Sequence, residues 1–466
     1  MTDAGRRFNR SCALAFAGAL VLTPAAHAEA GGEIERLKQQ LEAQRQMIEK
    51  LEDRLNALAA QQAAEPKPAP PAATAAAPQA TMAAPASVAA LPTVGYENGF
   101  FIRDATGDNS MTINGLSQFR FNHFETSGTG KFGAKDQASN NFDIFLGRLY
   151  VSGNIIDPSI RYWLTLHGTT MANGTGLSLL DAEISKTFSP HLTVEIGKYW
   201  SAYSFGYYAD PGKFMFPDMS AAEWAFSMGR QTGMRLSGKA ADLTYNLSVS
   251  NSVPGSDVGN TENLHGKMAV IGNLQYDILA PYGYLETDPD PAGTKKPELS
   301  LWASGAYNPV EYTSVFQNDL AGDRTIGATG SLNFRTGYLS FQGSGFYKVN
   351  EQRFGSAGHP AFTSHGWQEM AGYYLVPGKL EIAERIDGIT WGRGQIPFSG
   401  GSETQWFAGP ANFSYHNLTE YTGGLNYYLR GHSAKWLLSY SYLTGTGFNQ
   451  RSFDANRVLF QTQLAF

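Results

Sequence analysis

Cysteine is almost missing from this chain: a single residue, Cys12, in 466. It sits in an N-terminal segment built for removal, so the mature chain is expected to carry no thiol. Disulfides, thiolate metal sites and cysteine nucleophiles are thereby excluded. Long hydrophobic runs are missing too. Beyond the N-terminal segment nothing approaches the roughly 18 uninterrupted apolar residues expected of a membrane-spanning helix. Charge of one sign is scarce, with 35 Lys and Arg against 41 Asp and Glu, a formal net charge of −6. Removing the three Arg and one Asp of residues 1–28 takes it to −8. Such a value gives no reason to expect nucleic acid as a partner. What is abundant is aromatic and small: 23 Tyr, 28 Phe and 51 Gly. That composition suits short strands with interfacial aromatics better than helical bundles.

Residues 1–28 begin with Arg6, Arg7 and Arg10, continue through an apolar run from Cys12 to Leu22, and end Ala26-His27-Ala28. This is the pattern of a secretory signal peptide with a small-x-small cleavage site. Asn9-Arg10-Ser11 is a poor lead-in for lipid attachment at Cys12. Over 29–62, Ile34, Leu37, Leu41, Gln44, Ile48, Leu51, Leu55 and Leu58 alternate spacings of three and four, with charges between them. They occupy the a and d seam of a heptad, so the segment predicts an α-helical coiled coil and an oligomer. Gln44 at a d position costs stability and fixes register. The alternative, a helix lying on a barrel or on lipid, fits a two-position seam less well. Residues 63–95 are rich in Ala and Pro and read as an extended spacer. A contact with peptidoglycan is compatible with this stalk, but no residue demands one.

From residue 96 onward the chain reads as one all-β domain. In 243–249, Leu243, Tyr245, Leu247 and Val249 alternate with Thr244, Asn246 and Ser248, and the same period of two recurs to the end. A soluble sandwich can show such alternation. The whole set is more telling: 16 candidate strands run from 111–124 to 456–466, and their connections alternate long and short. Short ones fall at Asp157-Pro158, Ser189-Pro190, Ala240-Ala241, Thr336-Gly337, Pro377-Gly378 and Gly431-His432. One connection on the short side, 279–298, is long and Pro-rich and breaks the rule. An even strand count with alternating loop lengths predicts a 16-stranded antiparallel transmembrane β-barrel with both termini periplasmic. Outer-membrane lipid is then the surrounding medium, which tolerates no unpaired edge. The terminal Leu464-Ala465-Phe466 resembles the terminal-Phe signal of outer-membrane barrels, which implies barrel-assembly machinery as a partner.

Several segments resemble the phosphate-selective porin O/P family. They are Gly147-Arg148-Leu149-Tyr150-Val151-Ser152-Gly153-Asn154, Leu180-Asp181-Ala182-Glu183, Val194-Glu195-Ile196-Gly197-Lys198 and the run from Gly229 to Gly238. The opening Gly99-Phe100-Phe101-Ile102-Arg103 is similar as well. The resemblance implies a homotrimeric channel for anionic solutes, whose third loop, here 205–226, folds inward. Trimerisation agrees with the heptad seam. Parity places Arg120, Arg148, Arg235, Lys267, Lys348, Arg385 and Arg457 on the lumen face. It also places Asp181, Glu183, Glu195, Glu381, Asp387 and Glu420 there, so no basic ladder emerges. The third loop carries Asp210, Lys213, Asp218 and Glu223 and is net acidic. Lys198, Arg230 and Glu384 fall on the lipid-facing parity; the first two call for a bulge or an early strand end.

Catalysis finds little support. The His residues (123, 167, 191, 265, 359, 365, 416 and 432) are scattered without a signature, and no cofactor or metal site is expected. The reading is passive diffusion of small hydrophilic solutes with a weak anion preference, phosphate among them. The alternative is a tether between outer membrane and cell wall, with a secondary pore.

Overall fold

The structure is a computed structural model. It describes residues 91–128, 137–169, 176–251, 268–289, 296–309, 324–351, 361–392, 415–447 and 452–466. The expected signal peptide, the seam from Ile34 to Leu58, most of the linker, and Lys267 lie outside the described residues.

A short hairpin, β1 (Thr93–Tyr96) and β2 (Phe100–Arg103), precedes sixteen longer strands. These are β3 (Ser110–Gly128), β4 (Gln137–Ile155), β5 (Asp157–Thr169), β6 (Gly176–Ser189), β7 (Leu192–Trp200) and β8 (Arg230–Ala240). β9 (Leu243–Asn251), β10 (Met268–Asp277), β11 (Glu298–Asn308), β12 (Arg324–Arg335) and β13 (Leu339–Glu351) follow. The last five are β14 (Phe362–Val376), β15 (Leu380–Thr390), β16 (Tyr415–Arg430), β17 (Ala434–Gly447) and β18 (Ser452–Ala465). Each of the sixteen pairs antiparallel with the next. β18 closes the ring on β3, from Ala465 opposite Leu116 to Phe453 opposite Gly128. Closure leaves no strand edge, which is what a lipid environment demands of a sheet.

The period of two decides which side chain faces where. On β11, Ser300, Trp302, Ser304 and Ala306 are buried, while Leu301 and Tyr307 between them are exposed. On β17, Leu437, Ser439 and Ser441 point in, and Trp436, Leu438 and Tyr440 point out. The outer face is thus apolar and aromatic, and the inner face mostly polar. Small offsets come from irregular pairing: at Gln118/Phe119 between β3 and β4 the register slips, and Phe145 and Leu146 are both buried.

The hairpin β1–β2 was not anticipated. Its turn, Asn98-Gly99, has positive φ at both residues (51° and 139°), the geometry for which an Asn-Gly pair between alternating apolar residues is the usual signal. β2 pairs with β3 at Phe100–Ile113 and Ile102–Met111, just beyond the point where β18 leaves off. The C-terminal residue is seated beside it. Phe466 exchanges two backbone hydrogen bonds with Gly115, both 3.0 Å, and its ring lies where a Cβ on residue 115 would be.

Candidate functional site

The segment between β7 and β8 does not stay outside; it folds into the barrel. It holds two short helices, α1 (Phe205–Tyr208) and α2 (Ala221–Phe226), with a single 3-10 turn at Pro211–Lys213 between them. Ser220 caps α2 through the Glu223 N–H, and Asp210 caps the 3-10 turn through the Gly212 N–H. Phe205, Tyr207, Ala209, Phe216, Trp224 and Phe226 are buried.

A backbone that crosses a lumen without sheet partners must find its hydrogen bonds elsewhere. Here the wall supplies them. Gln118 donates to the Pro211 carbonyl (3.2 Å), Gln463 to that of Gly212 (2.7 Å) and Lys435 to that of Phe214 (2.7 Å). Asn426 donates to the Met215 carbonyl (2.8 Å), Arg120 to that of Pro217, and Arg385 to that of Asp218 (2.8 Å). In return Asp387 accepts from the Ala222 N–H at 3.1 Å. Every donor in this set lies on β3 or β15–β18. The larger set of apolar contacts lies on the same side: Trp224 and Phe226 pack with Phe346, Ile389, Trp391, Leu418 and Leu443, while Phe205 packs with Trp302 of β11, and Tyr203 and Met228 with Ile271 of β10 and Ala306 of β11. Gly366 leaves the space that the Phe226 ring takes, since a Cβ there would lie 2.7 Å from it.

Three of the basic residues expected to line the pore meet at one carboxylate. Arg457 donates to Asp218 at 2.8 Å, and Arg120 and Arg385 each stand 3.9 Å from it. Burial alone would raise the pKa of Asp218; Arg457, Arg120 and Arg385 outweigh that and hold it below the usual carboxylate range. Arg385 also faces Asp387 (3.7 Å) and Glu420 (3.6 Å). Arg235 is held by Glu195 at 2.7 Å, Arg148 lies over the Trp200 ring at 5.6 Å, and Lys348 over Trp391 at 5.7 Å. Glu183 and Glu381 face inward as well, the latter accepting from Tyr428 at 2.6 Å. The six described basic residues are therefore inside, and carboxylates share the same wall.

Of the loop residues, Asp218 and Glu223 are fastened while Lys213 remains half-buried. Glu223 accepts from the N–H groups of Gly206 (3.1 Å) and Tyr207 (3.3 Å), tying α2 to α1. Burial pushes its pKa up to about 7, with these bonds and Ser204 pulling the other way.

Sequence reasoning missed a second insertion. The connection 279–298, long on the side where turns are short, turns into the barrel over residues 281–289. Glu286 accepts from the Met215 N–H of the first loop at 2.7 Å. Burial raises the Glu286 pKa to about 7, against Met215, Arg385 and Lys435. Arg335 donates to the carbonyls of Leu285 (3.0 Å) and Tyr282 (2.6 Å), and Thr287 to Glu381 (2.6 Å). The broken length rule was the signal.

Arg230 shows the strand end that its parity called for. It is buried, donating to Asp181 at 2.7 Å beside the Trp200 ring, because β8 starts only there, after Gly229 at a φ of 63°. Lys198 keeps its outward parity and donates to the Leu179 carbonyl at 3.3 Å. Glu384 is outward and exposed, on the strand beside outward Glu369.

No known family profile matches the chain, and no curated protein does. Among solved structures it is similar to the outer-membrane channel DcaP of Acinetobacter baumannii. There the TM-score is 0.51 at 10% identity, covering 78% of this chain and 99% of that one. OmpT of Vibrio cholerae gives 0.47 at 9% identity, covering 77% and 98%. An anion-selective porin from Comamonas acidovorans gives 0.47 at 10%, covering 77% and 100%. The first of these likenesses agrees with the strand count and closure: the chain has the fold of a porin-like, 16-stranded outer-membrane channel.

Proposed function

We propose that this protein is an outer-membrane porin through which small hydrophilic solutes diffuse passively, without catalysis or cofactor. The observation that carries the reading is the lumen itself. A loop lies across it on one wall, and the opposite wall offers hydroxyl and amide groups that water still reaches: Ser304 is 9% exposed, and Asn246, Ser331 and Ser344 are 8%. Polar lining of this kind lets a solute exchange hydration for wall contacts without being held.

The finer parts of the proposal rest on the sequence. The heptad seam from Ile34 to Leu58 supports a homotrimer, the leader at 1–28 supports export, and the resemblance to the phosphate-selective O/P porins supports a weak anion preference. The geometry favours a mild preference at most, because Arg120, Arg385, Arg457 and Arg235 stand against carboxylates. A reversal potential measured in planar bilayers under a salt gradient, then repeated with phosphate, tests this. A small anion-directed potential fits; clear cation selectivity ends the anion assignment. Phosphate block at concentrations no lower than chloride removes any specific phosphate site.

A further inference from the structure

Where the two inserted loops meet, they present aromatic rings to the lumen. Tyr208, at the end of α1, and Tyr284, from the second insertion, stand edge to face with centroids 4.9 Å apart. Trp302 of β11 backs both, at 5.9 and 6.3 Å. Phe205 and Tyr282 fill the space behind Trp302 and are buried, whereas Tyr208 and Tyr284 keep part of their surface open. Half-open rings beside a stretch of wall lined mainly by Ser, Thr, Asn and Gln form an apolar platform that water solvates poorly.

The frame around that platform is polar, and the charges within it are paired. Trp302 pairs across the sheet with Gln275 on one side and Ser331 on the other, and Ser304 follows it on the same inward face. Gln275 donates to Asp277 at 2.9 Å, while its side-chain carbonyl, in a residue 4% exposed, has no partner within the protein. Hydroxyls and amides both donate and accept, so they match groups that do the same. Arg235, 6.0 Å from the Tyr208 ring, is already engaged by Glu195 at 2.7 Å, and Arg335, which donates to the Tyr282 and Leu285 carbonyls on either side of Tyr284, is engaged by Glu298. Asp277 faces Lys239 at 3.5 Å. A charged solute would lose hydration there and meet no unmatched countercharge.

We propose that Tyr208 and Tyr284 form a binding subsite for the ring of an uncharged, polyhydroxylated solute, a saccharide of one or two units. The apolar face of the sugar ring lies on the aromatic platform, and its hydroxyls reach Ser304 and Ser331. This rests on the porin reading above and names the cargo class for that same lumen. The site belongs to two loops at once, so its occupation ties the second insertion to the first.

The experiment uses the full chain in a planar bilayer, with ionic current recorded while maltose is titrated from both sides. The expected result is a saturable reduction of current with half-block at about millimolar maltose. The double substitution Tyr208→Ala with Tyr284→Ala raises the half-blocking concentration about tenfold, the loss of roughly one aromatic contact. The Tyr208→Phe, Tyr284→Phe pair keeps the original value, because it preserves both faces. Absence of ionic current from the folded protein would overturn the porin reading, and the subsite with it. Current that maltose does not reduce, or reduces equally in the Ala and wild-type channels, would overturn the subsite alone. So would saturable block by phosphate but not by maltose.

Discussion

Two stretches of the lumen wall are made differently. From β14 through β18 and on to β3, inward positions carry long or charged side chains, among them Gln368, Arg385, Asp387, Glu420, Asn426, Lys435, Arg457, Gln461 and Arg120, and nearly all are sealed. From β9 to β13 they are mainly Ser, Thr, Asn and Gln, and the most exposed of them sit at mid-height. The first stretch is an anchor: its side chains replace the sheet partners that an inserted loop lacks. The second stretch is the freer wall, which the loops touch at Ile271, Trp302, Ala306 and Phe346. Charge within a porin lumen therefore need not be charge offered to the solute, and counting inward Arg and Lys overestimates selectivity when a loop consumes them.

The comparison breaks most visibly at Asp218. Asp218→Ala leaves Arg120, Arg385 and Arg457 without their shared partner; removing one member of a buried ion cluster costs about 3 kcal/mol. The expected outcome is a lower thermal transition, a larger and noisier conductance, and a shift of reversal potential toward anions. An unchanged reversal potential would mean that these arginines never faced the solute path.

Next in size is a charge placed on the freer wall. Ser331→Asp puts a carboxylate at a position 8% exposed and should turn the channel toward cations, whereas Gln461→Glu, at a sealed position, should leave the reversal potential nearly in place. Equal shifts would show that the two walls are equally accessible.

A smaller effect comes from pH. Glu223 and Glu286 have native pKa values near 7, above their unfolded values, so their contribution to loop docking is complete below about pH 4.5 and is lost as pH rises through 7. Current fluctuations should therefore increase from pH 5 to pH 8, and the Glu223→Gln, Glu286→Gln pair should flatten that profile. Asp218, held low, acts in the opposite sense and matters only in strong acid. The smallest change is Phe466→Ala, which empties the place over Gly115. It should slow barrel formation in folding assays while leaving the conductance of folded channels the same.

Much of the barrel was legible because one side of each strand is apolar and the other polar, a pattern that survives without tertiary knowledge. The expected strand at 111–124 falls within β3 (Ser110–Gly128). The loop positions were less legible, since nothing local says where a long connection will lie. Yet inward parity held a clue: Leu418, Leu437, Leu443 and Leu459 point into a lumen that should be polar, and each is 3% exposed or less. Such residues mark a wall that something covers. The hairpin β1–β2 was hidden by its length, four residues a side, although Asn98-Gly99 announced a turn. At Arg230, where outward parity called for a bulge or an early strand end, β8 begins directly after Gly229 at positive φ.

The scarcity of cysteine supplies the most direct test of the two-wall account. With Cys12 as the chain's only thiol, single cysteines can be introduced on a clean background. Ser304→Cys and Ser331→Cys should react rapidly with a small charged thiol reagent and reduce the ionic current. Gln461→Cys and Asn426→Cys, at positions 0% and 1% exposed, should react slowly or not at all. Fast modification of the second pair, with the first pair inert, would contradict the account.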